Sequence, residues 1–278
     1  MTYASSKTIL GAAVAVMSVA ALAAPASAGD LFGRRDGGSV KDAPAAEPAR
    51  RCNWSMNIGA TSDYVFRGIT QNSEDPAVQG GVDATCGMFY AGIWGSNVNF
   101  YSDNDQPGDA SLEVDLYAGI KPTWGPLTFD LGVIYYWYPG ANDGSKYSPA
   151  GEVDYVELKG GVSGTWNNFT LGGVLFWSPD YTGETGNTFT IEGSAGYTFR
   201  AIGPVTPSVS ALIGTTQFTD SDYTDNDYVY WNAGLTLAVD KFSFDFRYWD
   251  TDSNGNDFCG DKGACDERFV FTAKIALP

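Results

Sequence analysis

Charged side chains in this chain fall at alternate positions within apolar surroundings, and that spacing limits the chemistry they can do. In TSDYVFRGITQNSEDPAVQGGVD (Thr61–Asp83), Asp63 and Arg67 share one parity against Tyr64 and Phe66. Asp83 lies with Gln79 against Val78 and Val82. Glu113 with Asp115, Asp130, Glu157 with Lys159, Glu192, Asp245 with Arg247, Arg268 and Lys274 repeat the arrangement, and Lys121 joins the set. Fixed charges of both signs facing a water-filled space create a transverse field that orients a polar solute and sets a charge preference. If they paired across the space they would fill it instead. Arg67 is the first candidate, because a guanidinium there could line a constriction or clamp Asp63 or Asp83.

Covalent chemistry has little to work with. There is no histidine, which removes Ser-His and Cys-His nucleophiles and imidazole metal ligation. Paired carboxylates suit hydrolases, but 33 acidic residues bring pairs together by chance, and the reading is a non-enzyme. No glycine-rich phosphate loop opens a helix. The loop from Asp250 to Asp261 places Asp250, Asp252 and Asn254 at positions one, three and five of a calcium loop, Gly255 at six and Asp261 at twelve. Calcium loops usually end on Glu and lie between helices. A solvated acidic loop is the competing reading.

What must position the charged residues is a set of strands. Apolar and aromatic residues recur every second position, the period of a strand, in twelve segments. Leu112, Val114 and Leu116 alternate with Glu113 and Asp115, and Leu127, Phe129 and Leu131 with Thr128 and Asp130. Phe189 and Ile191 alternate with Thr190 and Glu192, Phe244 and Phe246 with Asp245 and Arg247, and Phe269 and Phe271 with Arg268 and Thr272. The other seven fall near 53–70, 77–86, 88–100, 151–163, 166–178, 204–218 and 227–239. The segment 88–100 is apolar on both parities, so its faces stay unassigned.

A soluble sandwich also alternates; the connections separate the two cases. Long polar excursions such as SDNDQPGD and TDSDYTDN alternate with tight turns at Cys86-Gly87, Pro122–Gly125, Gly164-Thr165, Arg200–Gly203 and Asp240-Lys241. An up-and-down outer-membrane barrel has this asymmetry, with short periplasmic turns and longer outer loops. Hydrocarbon cannot solvate open backbone groups, so a spanning sheet has to close on itself. The expectation is therefore an all-β, closed antiparallel transmembrane barrel of about twelve strands, with both termini periplasmic. Twelve strands enclose more room than the filled eight-stranded case and less than a sixteen-stranded porin, which favours an open pore over a filled one. Tyr135, Trp137, Trp166, Trp177, Trp231 and Tyr248 near strand ends fit interfacial girdles.

The first fifty residues agree with export. Lys7, the apolar run Thr8–Ala24 and Ala26-Ser27-Ala28 read as a signal peptide over 1–28, followed by a disordered periplasmic linker over 29–51 and the barrel over 52–278. Four cysteines allow three pairings. Cys52–Cys86 and Cys259–Cys265 are favoured, because an oxidising compartment promotes bridges and the second pair closes a short loop. The net charge of −17 excludes nucleic acid as a partner and favours cations.

The stretch from Thr61 to Asp83, followed by FYAGIWGSNVNF and EVDLYAGI, resembles the TorF family of small exported proteobacterial porins. Tyr-x-Phe-Arg-Gly with Asp-Pro-Ala-x-Gln-Gly is its most specific part. The resemblance implies an outer-membrane barrel and solute transport. The chain departs from the usual barrel ending, since it closes on Ala276-Leu277-Pro278 rather than on an aromatic residue. The sequence thus points to a channel for passive diffusion of small hydrophilic solutes, preferring cations. Its partners would be outer-membrane lipid, lipopolysaccharide and the barrel insertion machinery. A closed structural or adhesive barrel working through acidic outer loops is the main rival, and a secreted sugar-binding sandwich the third reading.

Overall fold

The computed structural model describes residues 52–99, 110–141, 153–220, 226–259 and 263–277. The expected signal peptide (1–28) and linker (29–51) lie outside the described residues, as does Asp261.

Twelve long strands form the wall: β1 (Asn53–Thr61), β4 (Ala77–Cys86), β5 (Phe89–Asn97), β6 (Leu112–Ile120), β8 (Leu127–Trp137), β9 (Tyr155–Trp166), β10 (Phe169–Ser178), β11 (Thr188–Thr198), β12 (Thr206–Phe218), β13 (Tyr228–Val239), β14 (Phe242–Thr251) and β15 (Arg268–Leu277). Short pieces sit between them: β2 (Val65–Phe66), β3 (Ile69–Thr70), β7 (Thr123–Trp124) and the helix α1 (Ser253–Cys259). Each wall strand pairs antiparallel with the next. The last then pairs with the first, from Met56↔Leu277 to Thr61↔Thr272. No wall strand is left with an open edge, the condition for crossing hydrocarbon. The barrel begins and ends at the short-turn end, because twelve passes return the chain to its starting side.

The two parities divide as alternation requires, with the apolar side outermost. Ile58, Ile191 and Phe246 are 55%, 52% and 50% exposed, whereas the inward Glu113, Glu157 and Glu192 are 0%, 1% and 3% exposed. In water this arrangement would expose a continuous apolar belt at a large cost; in a bilayer the belt meets its own kind. Trp137, Trp166 and Trp231 lie on this outer surface. For the segment near 88–100 the structure settles what alternation could not: Phe89 and Ile93 face out, and Tyr90 and Trp94 face in. Both disulfides form as favoured, Cys52–Cys86 and Cys259–Cys265. The first clasps the start of β1 to the end of β4.

Three expectations are corrected. The expected turn at Cys86-Gly87 lies one residue on, at Gly87-Met88, because Cys86 stays in the ladder opposite Phe89. The expected turn at Gly164-Thr165 lies instead at Asn167-Asn168, because Gly164 and Thr165 remain in the ladder opposite Leu171 and Thr170. Asn167 takes the left-handed conformation (φ 54°) that a two-residue hairpin needs and that Asn tolerates. The first strand does not run from 53 to 70. It ends at Thr61, and the chain leaves the wall and turns inward.

Candidate functional site

What turns inward is a miniature hairpin. β2 and β3 pair through Phe66↔Ile69, leaving Arg67-Gly68 as a two-residue tip. Both tip residues have positive φ, 47° and 83°, as the tight hairpin turn matching strand twist requires. Gly68 is obligatory on a second count: a Cβ there would collide with the side chains of Thr251 and Tyr230. Polar bonds fold the arms of the segment. Thr70 Oγ1 donates to Asp63 Oδ1 at 2.6 Å, Gln71 N donates to the Tyr64 carbonyl at 2.6 Å, and Asn72 Nδ2 donates to the carbonyls of Asp75 and Pro76.

This hairpin spans the lumen at the long-connection end. On one side Tyr64 donates to Glu113 of β6 at 3.1 Å and meets Trp94 of β5 edge-on at 5.6 Å. On another Arg67 reaches β9, where its Nη1 and Nη2 donate to Glu157 Oε1 and Oε2 at 2.9 and 3.0 Å. The guanidinium also lies against the rings of Phe66, Phe176 and Tyr181 at 4.6, 5.1 and 5.9 Å. Back at β15, Arg268 Nη1 donates to Asp63 at 3.0 Å. Beyond α1, the Ala264 carbonyl accepts from Thr70 N at 2.9 Å. Arg67 is fully buried. An isolated buried charge costs several kcal/mol even after relaxation; a two-pronged carboxylate and three ring faces offset that cost.

Around the tip sits a core dominated by tyrosines rather than aliphatics: Tyr64, Tyr136, Tyr138, Tyr155, Tyr181, Tyr228 and Tyr230, joined by Phe66, Ile69 and Phe218. Several hydroxyls serve carboxylates. Tyr136 donates to Glu157 at 3.1 Å and Tyr230 to Glu192 at 2.6 Å. Asp115 and Glu113 lie beside each other on the inner face of β6, and both are buried.

The short-turn half of the lumen is different. Asp130 accepts from Tyr90 and from Lys159 at 2.7 Å each, with Lys121 Nζ at 3.8 Å. Asp83 accepts from Tyr117 at 2.6 Å. Arg247 ties Asp245, Asn232 and Ser210 into one network, and Thr236 donates to the same Asp245. The charged groups here are only partly buried and Lys121 is exposed, while Tyr117 and Asn232 are buried. Lys274 sits on the same wall, in register with Gly59 and Ser243.

The candidate residues therefore divide into two groups. Asp63, Arg67, Glu113, Asp115, Glu157, Glu192 and Arg268 gather around the hairpin, and Asp83, Lys121, Asp130, Lys159, Asp245, Arg247 and Lys274 belong to the other half. Arg67 departs from its expected place: it clamps Glu157, not Asp63 or Asp83, and it stands on the hairpin tip rather than on a wall strand. Tyr64 and Phe66, expected on the lipid-facing parity, are buried inside for the same reason, since parity along β1 ends where the strand ends. Sequence reasoning missed the tyrosines. The available signal was that Tyr155 and Tyr230 alternate in phase with Glu157 and Asn232, which marks them as lumen residues with a polar tip. In the 250–261 loop, Asp252 Oδ1 accepts from Gly255 N at 3.0 Å, the bond of a helix N-cap. Asp250 accepts from Thr251 N and Tyr248 OH, and Asn254 lies within α1. Among the described residues no group of three or more acidic, Cys or His side chains is placed to hold a metal.

The fold and lumen define the chain as a porin-like β-barrel of the outer-membrane type. It belongs to the family described as "Bacterial protein of unknown function (Gcw_chp)", whose model matches residues 45–276. None of the curated proteins matches the sequence. Among solved structures, KdgM porin aligns over 81% of this chain and 98% of its own at 6% identity, with a TM-score of 0.51. NanC porin aligns over 81% and 100% at 10% identity and 0.46, and LpxR from Salmonella typhimurium over 80% and 99% at 11% identity and 0.43. At these identities the likeness to KdgM porin is one of fold.

Proposed function

We propose that this protein is an outer-membrane channel for passive diffusion of small hydrophilic solutes, with a preference for cations. The observation that carries the reading is the short-turn half of the lumen, where the inner wall presents the hydroxyls of Tyr90 and Tyr117, the carboxylates of Asp83, Asp130 and Asp245, the ammonium of Lys159 and the guanidinium of Arg247, charges of both signs. Such a surface holds water and polar solutes, and opposed charges across it act on whatever passes. The resemblance to the TorF porins, which runs from about Asn53 to the last strand, supports the same assignment. Preference for cations rests on the acidic sequences of the long connections, such as SDNDQPGD and TDSDYTDN, which would raise the concentration of cations at the mouth. In this reading the segment 1–28 directs export, the short-turn end and both barrel termini face the periplasm, and the long connections face out toward lipopolysaccharide. Insertion follows the usual barrel machinery. No enzymatic step is assigned to the lumen carboxylates.

Reconstitution in planar bilayers tests this. Discrete conductance steps are expected, with a reversal potential under a salt gradient that favours the cation; silence, or an anion-selective potential, argues against it. A second reading has one observation in its favour, the hairpin that fills the long-connection half. A permanently closed barrel working through its acidic loops would show no conductance, and chelators would lower its stability by removing bridging divalent ions.

A further inference from the structure

We propose that Asp63–Asn72 is a displaceable plug, seated in this structure, and that the Arg67–Glu157 pair is the latch holding it; the inference rests on the channel reading above. Three independent features support it.

The wall is complete without the segment. The β1–β4 ladder runs to the pair Thr61↔Ala77, so the two flanking strands are already joined where the insertion begins. The segment enters no rung of the twelve-stranded cylinder, and withdrawing it opens no edge to lipid. It is anchored at both ends: Ser62 N donates to the Phe271 carbonyl and Ser62 Oγ accepts from Phe271 N, and Ser73, with a positive φ of 52°, donates its Oγ to the Asn99 carbonyl, so the segment between these two anchors is the part that can move.

The chamber it occupies is lined for two states. A permanent filling is normally backed by aliphatic side chains packed to crystal-like density. Here the facing residues are chiefly Tyr136, Tyr155, Tyr181 and Tyr230 with Glu157 and Glu192. A tyrosine surface packs against Phe66 and Ile69 when the plug is seated, and its hydroxyls and the carboxylates hydrate when it leaves. A leucine-lined chamber could not do the second.

The ties are of a kind that water can replace. Arg67 to Glu157, Tyr64 to Glu113 and Asp63 to Arg268 link the plug to three different wall strands through charged or hydroxyl groups. A buried ion pair adds little net stability over an apolar contact but dictates a single geometry, and losing one partner penalises the bound form heavily. That combination gives an element two discrete positions rather than a gradual loosening.

Single-channel recording from the full chain in planar bilayers tests the proposal, comparing wild type, Glu157→Gln, and a plugless variant in which Asp63–Asn72 is replaced by Gly-Asn-Gly. Heat-modifiable gel mobility reports that each variant is a folded barrel. The plugless barrel should stay open with the largest steps. Wild type should open rarely, and Glu157→Gln should raise the open fraction by at least about tenfold, because Arg67 loses the carboxylate that holds it. Equal conductance of wild type and plugless barrels would overturn the plug while leaving the channel reading intact. Openings in the plugless barrel with wild type and Glu157→Gln both silent would show a fixed filling and overturn displacement. A silent plugless barrel that is folded would remove the channel reading itself.

Discussion

The two halves of the lumen carry similar numbers of charged groups and treat them in opposite ways. At the long-connection end Arg67 and Glu157 are sealed from solvent, with side-chain exposures of 0% and 1%. At the short-turn end Arg247 and Asp245 retain 14% and 23%, and Lys121 retains 47%. Electrostatics has different consequences in the two places. While the hairpin is seated, a sealed pair has no water to fall back on when one partner is removed, whereas an open pair exchanges its partner for hydration at small cost. One half has the energetics of a protein interior, and the other those of a wetted surface folded into a tube.

Four substitutions test that contrast. The largest effect is expected from Glu157→Ala, which leaves a buried guanidinium without its carboxylate and should cost about 3–5 kcal/mol in denaturant-unfolding free energy. Phe66→Ala follows in the same half. It removes a ring packed inside the hairpin and beneath Arg67, with an expected loss of about 3–5 kcal/mol that partial collapse of the chamber reduces toward the lower figure. Tyr136→Phe deletes one hydroxyl from Glu157 while keeping the ring, and should cost about 1.5–3 kcal/mol, the range for hydrogen bonds to charged groups. Asp245→Asn, in the open half, should cost about 0–1 kcal/mol. Its signature is functional: loss of one lumen carboxylate should shift the reversal potential toward the anion in the same bilayer experiment. If Asp245→Asn destabilised the barrel as much as Glu157→Ala, the distinction between the halves would fail.

The cylinder is legible in the sequence and the plug is not. Period-two alternation and the long–short rhythm of connections together fix strand number, face and closure, because a bilayer leaves few other solutions. Inward placement of Glu113, Asp130, Glu192 and Asp245 follows directly from that parity. Arg67 stands out for its charge, but its role depends on where β1 stops. Only Val65 interrupts the alternation of Asp63 and Arg67 with Tyr64 and Phe66, and one apolar residue on the polar parity is too slight a signal to announce the departure from the wall. The tip is Arg-Gly rather than the Asn-Gly that usually marks a two-residue turn, and the hairpin is only two residues per arm. The partner of Arg67 lies 90 residues away, a distance that only the closed barrel brings to contact. Tyr117, Tyr136, Tyr155 and Tyr230 fall on the polar parity with Asp115, Asp130, Glu157 and Asn232, but a ring is read as apolar, which hides the polar half of their character.

The seam between β1 and β15 sets the order of assembly. Thr61 and Thr272 touch across it at 2.9 Å although 211 residues separate them in the chain. Loop-closure entropy has to be met before any contact in that seam contributes. The other neighbouring pairs can zip locally, but the ring has no closed form until the final strand has been synthesised and delivered. A ribosome-released or proteolysed fragment lacking that strand, Arg268–Leu277, would therefore present two raw edges and be a substrate for quality control, not a smaller pore.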